Sequence, residues 1–258
     1  MSKPPSLRPR IGVERGLLSN PDHPVAKWIS NRLAHHADLL TFYGNAASHG
    51  AEGEPAVRID RLWDGLIYRT ACHVSTELMS GLVYEPALTL ADGETLACPL
   101  SRDLFLTRVF TWARFRAMTR DPKGLRRFHQ TNKYLLYAFA PLHYRAAGRM
   151  AAKTNRETWP QIANSYAHEL RQALAQTPTP GRRVNVLLHV LGYFKHDLAV
   201  GEKKRLLESI EHYRLDKIPF EEPRHLLAQL AQRFDRGYLR EQTFFEPYPC
   251  VLVQEFPK

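Results

Sequence analysis

Cysteine is scarce in this chain: three among 258 residues, Cys72, Cys98 and Cys250, with no Cys-x-x-Cys spacing. An odd, dispersed set argues against a disulfide framework and against a zinc ribbon. Reduced thiols in or near the core are expected, since free cysteine behaves as a small hydrophobe. Cys98, just before Pro99, is expected to be the most accessible, and the set fits a cytoplasmic address. Long apolar runs are missing too. No stretch approaches the roughly 18 uninterrupted apolar residues of a membrane span, and no membrane partner is expected. The first ten residues are basic but lack the apolar segment of a signal peptide. Also lacking are a glycine-rich phosphate loop, a His-Glu-x-x-His pair and a Gly-x-Ser-x-Gly elbow. No metal and no cofactor are therefore expected, and no motif names a reaction.

What is present is an ordinary globular composition, 44% hydrophobic and 10% aromatic, enough for one large domain or two small ones. Charge is the marked feature. Lysine and arginine number 36 against 26 acids, a net +10. The excess is local: residues 1–20 carry +3 and residues 101–133 carry +7, so the rest of the chain balances. Concentrated positive charge points to an anionic partner such as nucleic acid or a phosphorylated ligand. The candidate contacts are Arg114, Arg116, Arg120, Lys123, Arg126 and Arg127. Equally open is that these arginines are solvated helix faces paired with acids from elsewhere. Trp112, Phe115 and Phe128 interleave with the basic run and would suit base stacking, although aromatics at helical spacing are more often core.

Hydrophobic periodicity predicts an all-α protein, a multi-helix bundle of about nine helices. Residues 1–23, with Pro4, Pro5, Pro9 and Pro21, read as an irregular arm. Helices are expected over about 24–40 and 58–79. Asp92-Gly93 between extended runs predicts a small β-hairpin near residues 82–97. Prolines then punctuate a helical series, with Ser101 as an N-cap, breaks at Pro122 and Pro141, and further helices at 158–174, 182–198, 202–214 and 223–236. A boundary near residue 100 separates an N-terminal arm and helical extension (1–100) from a helical domain (101–258).

The 182–198 helix is apolar on most sides yet carries Asn185, His189, Gly192 and His196 in one narrow line. One reading is a ligand pocket in which His189 binds or moves a proton and Gly192 admits the ligand to the backbone. The other is a satisfied core histidine beside a close helix crossing. His129 and Lys133, four apart, with His143-Tyr144 on the next helix, offer an acid–base pair and a cation. A candidate pocket thus gathers His129, Lys133, His143, Tyr144, Asn185, His189 and Gly192. A third possibility is a scaffold for a protein partner, which predicts an exposed apolar patch on the N-terminal helices.

Phe128-His-Gln-Thr-Asn-Lys133-Tyr-Leu-Leu, then Pro141-Leu-His-Tyr144-Arg-Ala-Ala-Gly148-Arg, resembles the opening of the bacterial YbgA-like domain. So does Asn185-Val-Leu-Leu-His189-Val-Leu-Gly192-Tyr-Phe-Lys195, with Glu202-Lys203, Tyr213-Arg214 and Lys217-Ile-Pro219 following. Tyr238-Leu-Arg-Glu-Gln-Thr-Phe-Phe-Glu246-Pro-Tyr-Pro249 closes the pattern, which covers about residues 101–249. The resemblance implies a helical domain without an established activity, found alone near DNA photolyase or fused behind a thiouracil-desulfurase domain. By association it implies an accessory protein linked to nucleic acid or nucleobases. Ala138-Phe139-Ala140 stands where the family's Ala-His-Ser is expected. The start Arg10-Ile-Gly-Val-Glu-Arg-Gly16 faintly resembles the desulfurase domain, with Gly16 at its cluster-binding cysteine, so no iron–sulfur cluster is expected.

Overall fold

A computed structural model describes residues 8–42, 64–68 and 89–252. They group into two compact units, one formed by the described residues up to 117 together with 247–252, the other by residues 118–246. The chain is mostly helical, as its periodicity predicts. Among the described residues, one of its four strands falls where the sequence points.

The first unit is built on a parallel sheet. Strands β1 (Arg10–Glu14), β2 (Asp38–Phe42), β3 (Gly65–Tyr68) and β4 (Thr89–Asp92) lie in the order β2-β1-β3-β4. Every pairing is parallel, with Ile11 opposite both Leu39 and Gly65, and Gly65 opposite Thr89. Central β1 is buried along nearly its whole length, as a parallel strand covered on both faces must be. Short helices α1 (Arg15–Leu18), α2 (Pro24–Asn31) and α3 (Gly93–Ala97) and the long α4 (Pro99–Met118) complete the elements. Ile11, Val13, Trp28, Ile29, Ile67 and Leu96 pack with Phe105, Val109 and Tyr248 in one core.

This corrects five expectations. Residues 10–14 of the supposed irregular arm are a central strand, and the N-terminal helical extension is an α/β layer. The expected 24–40 helix stops at Asn31, passes through a 3₁₀ turn at Leu33–His35 and becomes β2. The expected 58–79 helix contains β3 instead; residues 58–63 and 69–79 lie outside the described residues. The strand of the expected hairpin exists as β4, but its partner is β3 in parallel, and residues 82–88 are not described. Asp92-Gly93 is no turn. The Asp92 carboxylate accepts the Thr95 backbone N–H at 2.6 Å and caps α3. A four-residue apolar run bounded by glycine reads equally as a helix turn or a buried strand, which is why periodicity misplaced these elements.

The second unit is helical throughout the described residues. It comprises α5 (Pro122–Thr131), α6 (Lys133–Phe139), α7 (Pro141–Lys153), α8 (Trp159–Ala175) and α9 (Pro180–Leu191). After a 3₁₀ turn at Gly192–Phe194 come α10 (Val200–Arg214), α11 (Glu221–Arg233) and α12 (Gly237–Arg240). Proline opens α4, α5, α7 and α9, where its missing N–H and fixed φ cost nothing. Asp121 caps α5 by accepting the Gly124 N–H at 2.7 Å. That turn is so tight that a Cβ on Gly124 would stand 1.7 Å from the Met118 carbonyl oxygen, so only glycine fits. Just beyond α10 and α11, Asp216 and Asp235 take positive φ (57° and 45°), the left-handed exit that ends many helices.

Candidate functional site

The sequence candidates fall into three local arrangements. The first is around His129 on α5. Its imidazole stacks on Tyr144 of α7, centroids 4.5 Å apart and planes within 6°. Its Nδ1 shares a 2.9 Å hydrogen bond with the Tyr166 hydroxyl of α8. Gly148, one turn beyond Tyr144, makes room for the ring: a Cβ there would lie 2.8 Å from His129 Nε2. Burial, with Lys133 nearby, pushes the imidazole down to about 4, so His129 is neutral at pH 7. Burial likewise raises the Tyr144 phenol to about 12 and holds Tyr166 well above its ordinary range. The two phenols hold their protons firmly and His129 stays unprotonated, so none of the three is a ready proton carrier near neutrality.

The second concerns His143, whose Nδ1 meets the Glu169 carboxylate of α8 at 2.8 Å. His129 and His143 therefore take separate partners on α8, Tyr166 and Glu169. The acid–base pair suggested by their sequence proximity is not assembled as a shared hydrogen bond.

The third arrangement is a set of aromatic rings from α6, from α9 and the 3₁₀ turn after it, and from α12 and the segment that follows. Tyr134 on α6 is 2% exposed and donates its hydroxyl to that of Tyr193 at 2.9 Å. Around it stand His189 at 5.7 Å, Tyr193 at 6.5 Å, Tyr238 at 6.4 Å and Phe244 at 6.5 Å, centroid to centroid. The Lys133 ammonium lies 5.1 Å from the Tyr134 ring centre. Burial and the bond to Tyr193 raise the Tyr134 phenol above its usual range, so Tyr134 keeps its proton near neutral pH. Tyr238 is also raised, chiefly by burial.

The polar line on α9 faces outward. Asn185, His189, Gly192 and His196 are all exposed, while Val184, Val186, Leu187, Val190 and Leu191 are buried. Neither the core histidine nor the close helix crossing is found: a Cβ on Gly192 would meet nothing within 4 Å. The candidate pocket residues thus divide into His129 with Tyr144, His143 with Glu169, and His189 with Lys133 beside Tyr134. Asn185 lies one turn before His189 on the same exposed side. The aromatic group was missed as a group because its members lie far apart in sequence.

The basic run also divides. Arg114 is internal: its guanidinium donates to the Pro247 carbonyl at 2.7 Å and to Thr111 at 3.0 Å. Burial lowers it to about 10. Arg116 pairs with buried Asp64 at 2.6 Å; Asp64 also accepts the Arg10 backbone N–H, and its own burial raises its carboxyl. These two arginines serve the first unit's fold rather than a surface. Arg120, Lys123, Arg126 and Arg127 are exposed at the start and along the outer side of α5. Arg126 spends one donor on the Thr154 carbonyl at 2.9 Å, and Arg127 meets Glu241 at 3.4 Å. The α5 segment contains no acidic residue. Trp112, Phe115 and Phe128 are buried core side chains, with Trp112 and Phe115 edge-to-face at 5.5 Å.

Cys98 and Cys250 are exposed rather than buried, and hydrogen bonds from Ser101 lower the Cys98 thiol; Cys72 lies outside the described residues. Among the described residues, no group of three His, Cys, Asp or Glu is placed to hold a metal ion. No described helix is long and apolar enough to cross a membrane. None of the large exposed apolar side chains lies on α1 or α2, where a scaffold was expected to show a patch.

Residues 133–249 match the family described as "Protein of unknown function (DUF1722)". Over 126 residues the chain is 25% identical to "Uncharacterized protein YbgA" of Escherichia coli (strain K12), covering 48% of this chain and 75% of that protein. No solved structure matches. The two matches support a YbgA-like domain, over a narrower span than the 101–249 of the motif resemblance, and the aromatic group lies within it.

Proposed function

We propose that this chain, whose residues 133–249 are YbgA-like, is a nucleic-acid-binding accessory protein that grips phosphates through the outer side of α5. One observation carries the reading. Arg120, Lys123, Arg126 and Arg127 are exposed within eight residues, on and just before a helix with no acid of its own. Arginine has five N–H donors, so the single bond from Arg126 to Thr154 leaves it able to hold a phosphate. The exposed Arg127–Glu241 pair is weak in water, and phosphate can replace it. The stretch 101–133 holds most of the chain's excess charge, and the part of it near α5 remains on the surface once Arg114 and Arg116 are committed inside.

Binding through phosphates releases condensed counterions and therefore weakens steeply with salt. The test is fluorescence anisotropy of a labelled oligonucleotide against the full chain between 50 and 200 mM salt, a range over which phosphate-led binding falls steeply. The reading expects a steep loss of affinity, and a further loss in Arg126→Glu/Arg127→Glu. Salt-independent binding, or an unaffected variant, would refute it.

A further inference from the structure

Tyr193 and Tyr238 have centroids 6.3 Å apart and planes 26° from parallel. Tyr193 keeps 40% of its surface in water, and His189, one turn earlier, is exposed. Both tyrosine rings meet the buried Tyr134 edge-on, and Tyr193 is also tied to it by the hydroxyl bond. Rings seated this way have little conformational freedom left to lose when a ligand arrives. The Lys133 ammonium beside Tyr134 adds a cation.

This shelf is joined to the basic helix by residues 238–243. Tyr238 is three residues before Glu241, the partner of Arg127, and residues three apart on a helix stand about 5–6 Å from one another. The Gln242 amide donates to the Gln130 carbonyl at 2.9 Å and its oxygen accepts the Tyr134 N–H at 3.5 Å. The Thr243 N–H reaches the Thr131 carbonyl at 2.9 Å. The aromatic shelf and the basic helix are therefore tied together within one unit, through the segment that carries Tyr238 and, three residues later, Glu241, the partner of Arg127.

We propose that Tyr193 and Tyr238, with His189, form a stacking shelf for unpaired bases, which makes the preferred ligand single-stranded nucleic acid. The proposal rests on the reading of α5 as the phosphate-binding face. A duplex shows a protein its base edges and keeps its base faces stacked on one another. A ring can stack only on a base that has left such a stack, and aromatic stacking tolerates every base.

Three labelled probes about 20 nucleotides long, longer than a typical single-strand site, separate the two proposals: a mixed-sequence single strand, an abasic strand with the same phosphates, and a duplex. The full chain should bind the single strand about tenfold more tightly than the abasic strand. Tyr193→Leu/Tyr238→Leu should remove that advantage and leave abasic binding and the salt slope unchanged. Tyr193→Leu alone, at the more exposed ring, should remove part of it and serves if the double variant fails to fold. Equal affinity for single and abasic strands, tighter binding of the duplex, or a Tyr193→Leu variant of undiminished preference would overturn the shelf while sparing the phosphate face. Failure to bind any of the three would overturn both.

Discussion

Adding one methyl group at Gly148 should destabilise the protein although it lies in mid-helix, where alanine ordinarily beats glycine by about 1 kcal/mol. The new Cβ would stand 2.8 Å from His129 Nε2, closer than real Cβ contacts come. The imidazole cannot easily yield, because Tyr144 stacks on its face and Tyr166 holds Nδ1 at 2.9 Å. Overpacking of this kind costs about 1–3 kcal/mol, so the net loss for Gly148→Ala is up to about 2 kcal/mol once the helix gain of about 1 kcal/mol is subtracted. That corresponds to a fall in Tm of up to about 8 °C. The decisive control is the double-mutant cycle with His129→Ala, which removes the obstructing ring. In that background Gly148→Ala should cost nothing or stabilise by up to about 1 kcal/mol. Thermal unfolding followed by circular dichroism reads all four proteins. A Gly148→Ala that stabilises the wild type, or one that costs the same with and without His129, would refute the packing argument.

Acid should weaken the same site. The folded state lowers His129 from its ordinary 6.5 to about 4, so the unfolded chain binds the extra proton first. Stability is therefore full above pH about 6.5, falls as the pH drops towards about 4 and changes no further below. Linkage puts the loss from this group at about 2 kcal/mol between pH 7.5 and 5; urea midpoints should show it, and His129→Phe should abolish that component. Arg114→Met should cost about 2–4 kcal/mol by leaving the Pro247 carbonyl without its charged donor, yet leave oligonucleotide affinity unchanged; loss of affinity in a folded variant would return Arg114 to the binding face. Gly124→Ala should unfold the start of α5, because its Cβ meets backbone rather than a movable side chain; hydrogen exchange across residues 118–128 would report it, and unchanged protection would contradict the tight turn.

Legibility in the sequence followed the range of the interactions. The breaks at Pro122 and Pro141 are legible because proline and its cap act within four residues, and the helix expected from 182 begins two residues earlier, at Pro180. The parallel sheet was not readable. Its strands are four or five residues long, and β1 finds its partners 28 residues away in β2 and 54 away in β3. On α9 Val184, Leu187 and Leu191 are buried as the apolar stripe predicts, but Leu188 and, in the following 3₁₀ turn, Tyr193 stand about 40% exposed, so the polar line between them faces outward. Arg114 and Arg116 look like surface charge until the distant Pro247 carbonyl and Asp64 carboxylate are placed against them. Among the candidate site residues, the local pairing of His129 with the Tyr144–Gly148 turn lay within one recognisable block. The Tyr134–Tyr193–Tyr238 group draws on α6, the 3₁₀ turn after α9, and α12, and no spacing rule connects them.

The central claim is that exposed cations on and around α5 bind nucleic-acid phosphates, and the salt dependence of binding tests it most directly. Arg120, Lys123, Arg126 and Arg127 together should give a slope of log affinity against log salt near −3 for a single strand, at about 0.7 per phosphate contact. Arg126→Glu/Arg127→Glu should flatten it by at least about 1.4. A slope near zero, or one that the double variant leaves unchanged, would contradict the account.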